Sequence, residues 1–239
     1  MANKALEIFL EHLEYELRYS PKTIDSYKRD IEKFLKYINS EGILMDDIDQ
    51  RIINNFLTKE IVSGISKRSC KRRLSALKKF YHYMQVTGNF RDNPFDFIEF
   101  PKTDKTLPRV LYEDQVFQII DDNKKRTDFL ADRDQAILEL LYYTGLRASE
   151  LVSLTVQTVN IRGQYVRVIG KGNKERIVPF LDECVDALSH YVKHTRPLLA
   201  SKATMPTASF FLNSKGQGLT TRGLEYILDQ IDLKYKVLK

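Results

Sequence analysis

Between Gly88 and Arg109 the helical hydrophobic period that governs the first part of the chain lapses. The stretch carries one Gly, two Asn and three Pro. Asn93-Pro94, Pro101 and Pro108 each disfavour helix in the residue before the proline. A chain broken in this way cannot form one continuous helical layer, so it must divide into two bodies that bury separate cores. Its 239 residues are enough for two. Phe95, Phe97, Ile98 and Phe100 lie inside the break, which therefore reads as an extended linker whose apolar side chains dock on one of the bodies. The boundaries expected are 1–100 for the first body, 101–108 for the connection and 109–239 for the second.

The first body reads as four helices. Leu6, Phe9, Leu10, Leu13 and Leu17 recur at helical spacing from about Lys4 to Arg18. Ser20 is placed to cap a second helix, with Pro21 at its first position. Ile24, Tyr27, Ile31, Phe34, Leu35 and Ile38 mark its apolar face. A third helix passes through Ile52, Ile53, Phe56 and Leu57. A fourth opens near Ser66 and stops before Gly88.

The fourth helix holds the charge. The chain's formal net charge is +6, yet Ile61 to Phe90 contains seven Lys or Arg and no acid. The rest of the chain is left at about −1, so an anionic partner is expected at this one segment. At ~100° per residue, Cys70, Leu74, Leu77, Phe80, Tyr81 and Met84 share one arc. Lys67, Arg68, Lys71, Arg72, Lys78 and Lys79 fall on the opposite arc, and Arg73 intrudes among the apolar group. A solvated basic face is one reading. A helix lying along DNA and neutralising phosphates is the other, favoured because a merely solvated face would mix signs.

The second body opens with a helix for which Asp114 is the expected cap, followed by a longer helix that ends at Thr144, before Gly145. In Thr144-Gly145-Leu146-Arg147-Ala148-Ser149-Glu150-Leu151, Arg147 precedes a short helical turn whose free N–H groups favour an anion. Spacing alone fits a phosphate clamp by Arg147 and a salt bridge from Arg147 to Glu150 equally well. The period then becomes strand-like: Val159 and Ile161, a turn at Arg162-Gly163-Gln164, a strand over Tyr165–Ile169, a second turn, and a strand over Arg176–Phe180. Lys171 sits at the second turn between glycines. From the residues alone it is a solvated turn lysine, and the string is not a Walker A loop. A helix from Asp182 is expected to end at Pro197, Ser209–Leu212 to form a short buried strand, and a last helix to begin near Thr220.

Two cysteines make no disulfide framework and point to a reducing compartment. No apolar run is long enough for a membrane span, and Glu7, Glu11 and Glu14 do not suit a signal peptide. A cytoplasmic, soluble protein with no membrane partner is expected. The four His and two Cys are not spaced as metal ligands. Asp132 and Asp134 read as a solvated helix start rather than a metal site, so neither metal nor cofactor is expected.

These residues together resemble the tyrosine recombinases of the Xer type. Thr144–Leu151 is similar to the family's first arginine motif, and Gly170-Lys171-Gly172-Asn173-Lys174-Glu175-Arg176 with Val178-Pro179 to its lysine hairpin. Ser20–Thr23 with Tyr27 and Asp30-Ile31, and Arg73–Leu77 with Phe80-Tyr81, resemble its helical core-binding domain. The resemblance implies a mainly α protein. Its N-terminal helical, SAM-like domain would precede a mixed α/β catalytic domain with a small antiparallel sheet.

It implies site-specific recombination of double-stranded DNA through a 3′-phosphotyrosyl intermediate, alongside other recombinase subunits and without a cofactor. Carried over, Arg147 is the first phosphate-clamping arginine and Lys171 protonates the leaving 5′ oxygen. Glu150 supports the site, and Thr23, Tyr27 and the basic residues of the fourth helix face DNA. The family's H-x-x-R box and late tyrosine have no match up to Lys239, and neither Tyr226 nor Tyr235 has the expected surroundings. The expectation is therefore a C-terminally incomplete catalytic domain that binds DNA without cleaving it. Its alternative is a non-enzymatic DNA-binding remnant or a regulator of a full-length recombinase.

Overall fold

The computed structural model describes residues 2–98, 110–170 and 174–235. The chain divides into two compact units, Met1–Thr106 and Leu107–Lys239, each with its own hydrophobic core.

In the first unit, α1 (Ala2–Glu11) runs into a π-helical turn, His12–Glu16, and is followed by α2 (Pro21–Ser40), α3 (Gln50–Val62) and α4 (Lys67–Val86). Three of the four starts are set by short polar caps. Ser20 Oγ accepts from the Thr23 N–H at 3.2 Å, Asp49 Oδ1 from the Ile52 N–H at 2.8 Å and Ser66 Oγ from the Ser69 N–H at 3.2 Å. The helices close on an aromatic core. Phe34 meets Phe56 edge-on at 5.0 Å and Phe95 at 5.5 Å between centroids, the offset geometry that ring quadrupoles favour.

The segment after α4 belongs to this core. Phe95 is buried and Phe90 and Ile98 pack against the cluster. Buried Asn93 fastens the turn by donating to the Lys78 carbonyl at 3.1 Å and accepting from the Phe95 N–H at 3.1 Å. Phe97 departs from the expectation and is exposed. Phe100 lies outside the described residues, as do the linker positions 101–108.

Arg73, the misfit on the apolar arc, is buried with its charge met. Its Nε lies 3.2 Å from Asp30 Oδ1 and its Nη1 pairs with Glu60. Lys33 reaches the same Glu60 at 3.0 Å. One guanidinium thus joins α2, α3 and α4 at the level of their core, where an unpaired charge would be very costly.

The second unit comprises α5 (Glu113–Lys124), α6 (Ala131–Thr144), α7 (Ala148–Ser153), β1 (Val159–Asn160), β2 (Tyr165–Ile169), β3 (Glu175–Pro179), α8 (Asp182–His190), α9 (Arg196–Ala200) and α10 (Thr221–Tyr235). The sheet is an antiparallel meander in the order β1-β2-β3, with Val159 opposite Val166 and Val168 opposite Arg176. Val166 and Val168 face the core while Arg167 and Ile169 face out, the alternation a one-sided sheet requires. The central helix α6 packs against α5 and α8.

Four local expectations are corrected. Asp114 falls inside the first turn of α5. The cap position is Tyr112, whose N–H donates to Gln115 Oε1 at 2.9 Å. The helix from Asp182 does not end at Pro197: a π-helical turn, Tyr191–Thr195, leads into α9. Proline then falls in a first turn, where its missing N–H and fixed φ are tolerated. Ser209–Leu212 is not a strand but a buried segment held by single bridges, Thr155 to Ser209 and Leu212 to Gly218. Tyr191 Oη secures it by donating to the Phe210 carbonyl and accepting from the Leu212 N–H, both at 3.0 Å. Asp134 is not solvated. It is buried against Arg133 at 2.7 Å and Arg126 at 2.9 Å, while Asp132 accepts from Thr195 Oγ1 at 3.0 Å.

Candidate functional site

The site in the second unit begins where α6 stops. Gly145 has φ +60°, a left-handed conformation that a Cβ disfavours, and its N–H closes the helix on the Leu141 carbonyl at 3.0 Å. Leu146 then turns into the core. Arg147 follows in extended conformation immediately before α7, with its side chain 71% exposed. One turn on, Glu150 points inward beside Leu151 and Leu154 and is only 5% exposed.

Both Glu150 oxygens are used. Oε2 accepts from the Arg147 backbone N–H at 2.9 Å, and Oε1 from Arg147 Nη1 at 3.0 Å. Across the sheet boundary, Arg176 of β3 donates from Nη1 to Oε1 at 2.8 Å and from Nη2 to Oε2 at 3.0 Å. Gly170, just past the end of β2, leaves the space: a Cβ there would lie 3.1 Å from Arg176 Nη1. The hydrogen bonds from Arg176 are the main reason that the Glu150 carboxyl is held down at about 2. Burial opposes that effect, and the backbone and side chain of Arg147 reinforce it. The same bonds push the Arg176 guanidinium up. One carboxylate between two guanidiniums leaves the cluster with a net positive charge.

The two readings of Arg147 are therefore compatible. One Nη1 rests on Glu150, while Nε and Nη2 have no partner among the described residues and the side chain stands in solvent. Of the N–H groups expected to favour an anion at this turn, that of Arg147 is taken by Glu150. Lys171 lies outside the described residues. Arg176 lay within the hairpin string but carried no assignment, because a strand residue's partner across the tertiary fold has no signature in spacing. Among the described residues no group of three or more His, Cys, Asp or Glu is arranged to hold a metal ion, and no helix is long and apolar enough to cross a membrane. Tyr226 on α10 is exposed.

In the first unit, the basic arc of α4 divides in two. Lys67, Arg68 and Lys71 are exposed, and among the described residues their side chains have no ion-pair or hydrogen-bond partner. The remaining cations are engaged. Arg72 pairs with Asp30 through Nη2 at 3.0 Å and also contacts Ser26. Lys78 lies 3.2 Å from Asp96, and Lys79 bonds the Tyr19 hydroxyl with its ammonium 4.6 Å from the ring centroid. On α2, Thr23 and Tyr27 are half-buried. Thr23 Oγ1 bonds Ser20 Oγ at 2.8 Å, and Tyr27 packs against Phe9 and Tyr19.

Residues 109–237 match the phage integrase family, and residues 6–86 match the phage integrase N-terminal SAM-like domain. The chain is 37% identical over 227 residues to tyrosine recombinase XerC of Oceanobacillus iheyensis, covering 95% of this chain and 74% of the relative. It is 36% identical over 240 residues to tyrosine recombinase XerD of Staphylococcus epidermidis, covering 99% and 80%. Two solved structures share the fold. The Tn1549 transposon integrase in complex with transposon right end DNA has TM-score 0.73, 19% identity and coverage of 97% and 78%. The lambda integrase bound to DNA has TM-score 0.68, 16% identity and coverage of 98% and 78%.

Proposed function

The chain belongs to the phage integrase family, the tyrosine recombinases, and from that premise we propose that it binds double-stranded DNA in site-specific recombination, with Arg147 as a phosphate-holding residue. The observation that carries the reading is the cluster itself: a buried Glu150 that grips Arg147 by its backbone and by one nitrogen, with the rest of the guanidinium facing solvent. An arginine held in this way is preorganised for a phosphate oxygen and needs little reorganisation when charge develops there. Glu150 supports it, and Lys171 is assigned by the family motif to the leaving 5′ oxygen. In the first unit, Lys67, Arg68 and Lys71 supply unneutralised charge for the backbone of the duplex. Thr23 and Tyr27 of α2 are read as DNA contacts, and Arg72, Lys78 and Lys79 contribute where DNA displaces their present partners. No cofactor takes part.

The relatives named as Xer recombinases, and a lambda integrase described as a dimer on a COC′ core site, support a protein that works with further recombinase subunits on DNA in the cytoplasm. The experiment is duplex binding by fluorescence anisotropy across a salt series, comparing the wild type with Arg147→Ala. A steep fall of log K with log salt that Arg147→Ala flattens supports the reading. Binding that ignores both salt and Arg147 removes it.

A further inference from the structure

A single carboxylate serves two guanidiniums, and it serves them unequally. Arg176 engages Glu150 with a two-pronged fork at 2.8 and 3.0 Å, the geometry in which guanidinium and carboxylate match best. Arg147 contributes one side-chain bond and its backbone N–H. Arg176 stands on β3 and Glu150 on α7, so this fork joins the sheet to the short helix that Arg147 immediately precedes. The Arg176 side chain is 41% exposed and that of Glu150 is 5% exposed.

Without Arg176 the buried carboxylate would keep its charge and lose its stronger partner. A buried anion left short of donors draws in the nearest cation. That cation is Arg147, already 3.0 Å away with its side chain 71% exposed. It would lie down on Glu150 as the missing fork, the cluster's net charge would drop to zero and the outward guanidinium would be withdrawn.

We propose that Arg176 is a positioning residue: by saturating Glu150 it keeps Arg147 turned outward for a phosphate. The inference rests on the reading of Arg147 as a phosphate-holding residue. Arg176 acts through Glu150 and need not touch the DNA.

Substitutions distinguish this role from a direct contact. Arg147→Ala and Arg176→Ala each flatten the salt dependence of duplex binding by ~0.9, the amount for one lost phosphate contact. The double variant flattens it by the same ~0.9 and not by twice as much, because both changes remove one contact. Adding Glu150→Gln to Arg176→Ala restores the slope, since a neutral amide no longer captures Arg147. Additive losses, or no recovery with Glu150→Gln, would overturn the proposal. Arg176→Lys, which keeps the charge but cannot fork, gives an intermediate slope and serves if the alanine variant folds poorly.

A second readout needs no DNA. Carboxyl carbon NMR follows the Glu150 carboxyl, held down at about 2 in the wild type; in the Arg147→Ala background, where no second guanidinium can take the vacated place, Arg176→Ala moves its titration up, toward the ordinary glutamate range. An unmoved titration refutes the clamp even if DNA binding behaves as expected. A wild-type protein that binds no DNA refutes the reading of Arg147 instead, and the titration still decides whether Arg176 holds Glu150.

Discussion

Arg73 of α4 and Asp30 of α2 form an ion pair inside the first unit, with Arg73 Nε 3.2 Å from Asp30 Oδ1 and both side chains buried. Glu60 of α3 completes the arrangement from the other side. Removing the cation leaves two buried carboxylates facing each other with Arg72 and Lys33 as their remaining partners. Arg73→Ala should therefore destabilise the first unit by about 3–5 kcal/mol, the range for breaking a buried pair from one side. Urea unfolding of the variant checks this. A loss within experimental error of zero would mean that the network is incidental to the fold.

The Glu150 cluster makes the second unit sensitive to acid. Its carboxyl is held down at about 2 in the folded chain against 4.5 for an ordinary glutamate. A carboxyl lowered on folding contributes stability that is fully present above its unfolded value and is lost as pH falls through its folded value. The wild type should therefore exceed Glu150→Gln in stability by a constant margin above pH ~5, and that margin should shrink steadily toward pH ~2. Thermal unfolding of both proteins across this window is the measurement. A margin that grows on acidification would reverse the sign and exclude the pairing.

The two halves of the α4 face should behave differently. The Lys71 side chain has no partner among the described residues, so Lys71→Ala should flatten the salt slope of DNA binding by ~0.9 while leaving stability unchanged. Arg72 is committed to Asp30 and Ser26, so Arg72→Ala should lower the stability of the first unit and change the slope less than Lys71→Ala does. Anisotropy titrations paired with unfolding curves separate the two effects. Equal slopes for both variants would show that Arg72 releases Asp30 when DNA arrives.

Two buried tyrosines make opposite predictions. Tyr191 Oη bridges the Phe210 carbonyl and the Leu212 N–H; Tyr191→Phe leaves the Leu212 N–H unsatisfied and the Phe210 carbonyl with Arg196 Nε alone, and should cost about 1–3 kcal/mol. Tyr81 Oη is buried without a hydrogen-bond partner among the described residues, and Tyr81→Phe should be neutral or stabilising, because it removes a hydroxyl whose desolvation no described group offsets. Chemical denaturation of the pair tests the contrast.

Most of the helical framework was legible in local chemistry. The caps at Ser20 and Ser66, the stop at Gly145 and the change of period at Val159 act over one turn or one strand, and the structure has each of them. The basic arc of α4 was equally plain, because seven cations without an acid are a property of the string. Its division into free and engaged cations was not, since Asp30, Asp96 and Tyr19 reach α4 from distant parts of the chain. The helix through Pro197 also defied a local rule, because a π-helical turn shifted the hydrogen-bond register just before the proline.

The residues alone could place Arg147 one turn before Glu150, since that relation is covalent spacing on a helix. They could not say whether the pair cancels or leaves a cation exposed. Only the folded chain decides that, by bringing Arg176 on β3 to the same carboxylate with Gly170 opposite to make room. A carboxylate has two oxygens, and which guanidinium occupies them depends on a strand 26 residues further along the chain. That distance is closed by sheet pairing and core burial, neither of which is written in any single stretch of the sequence.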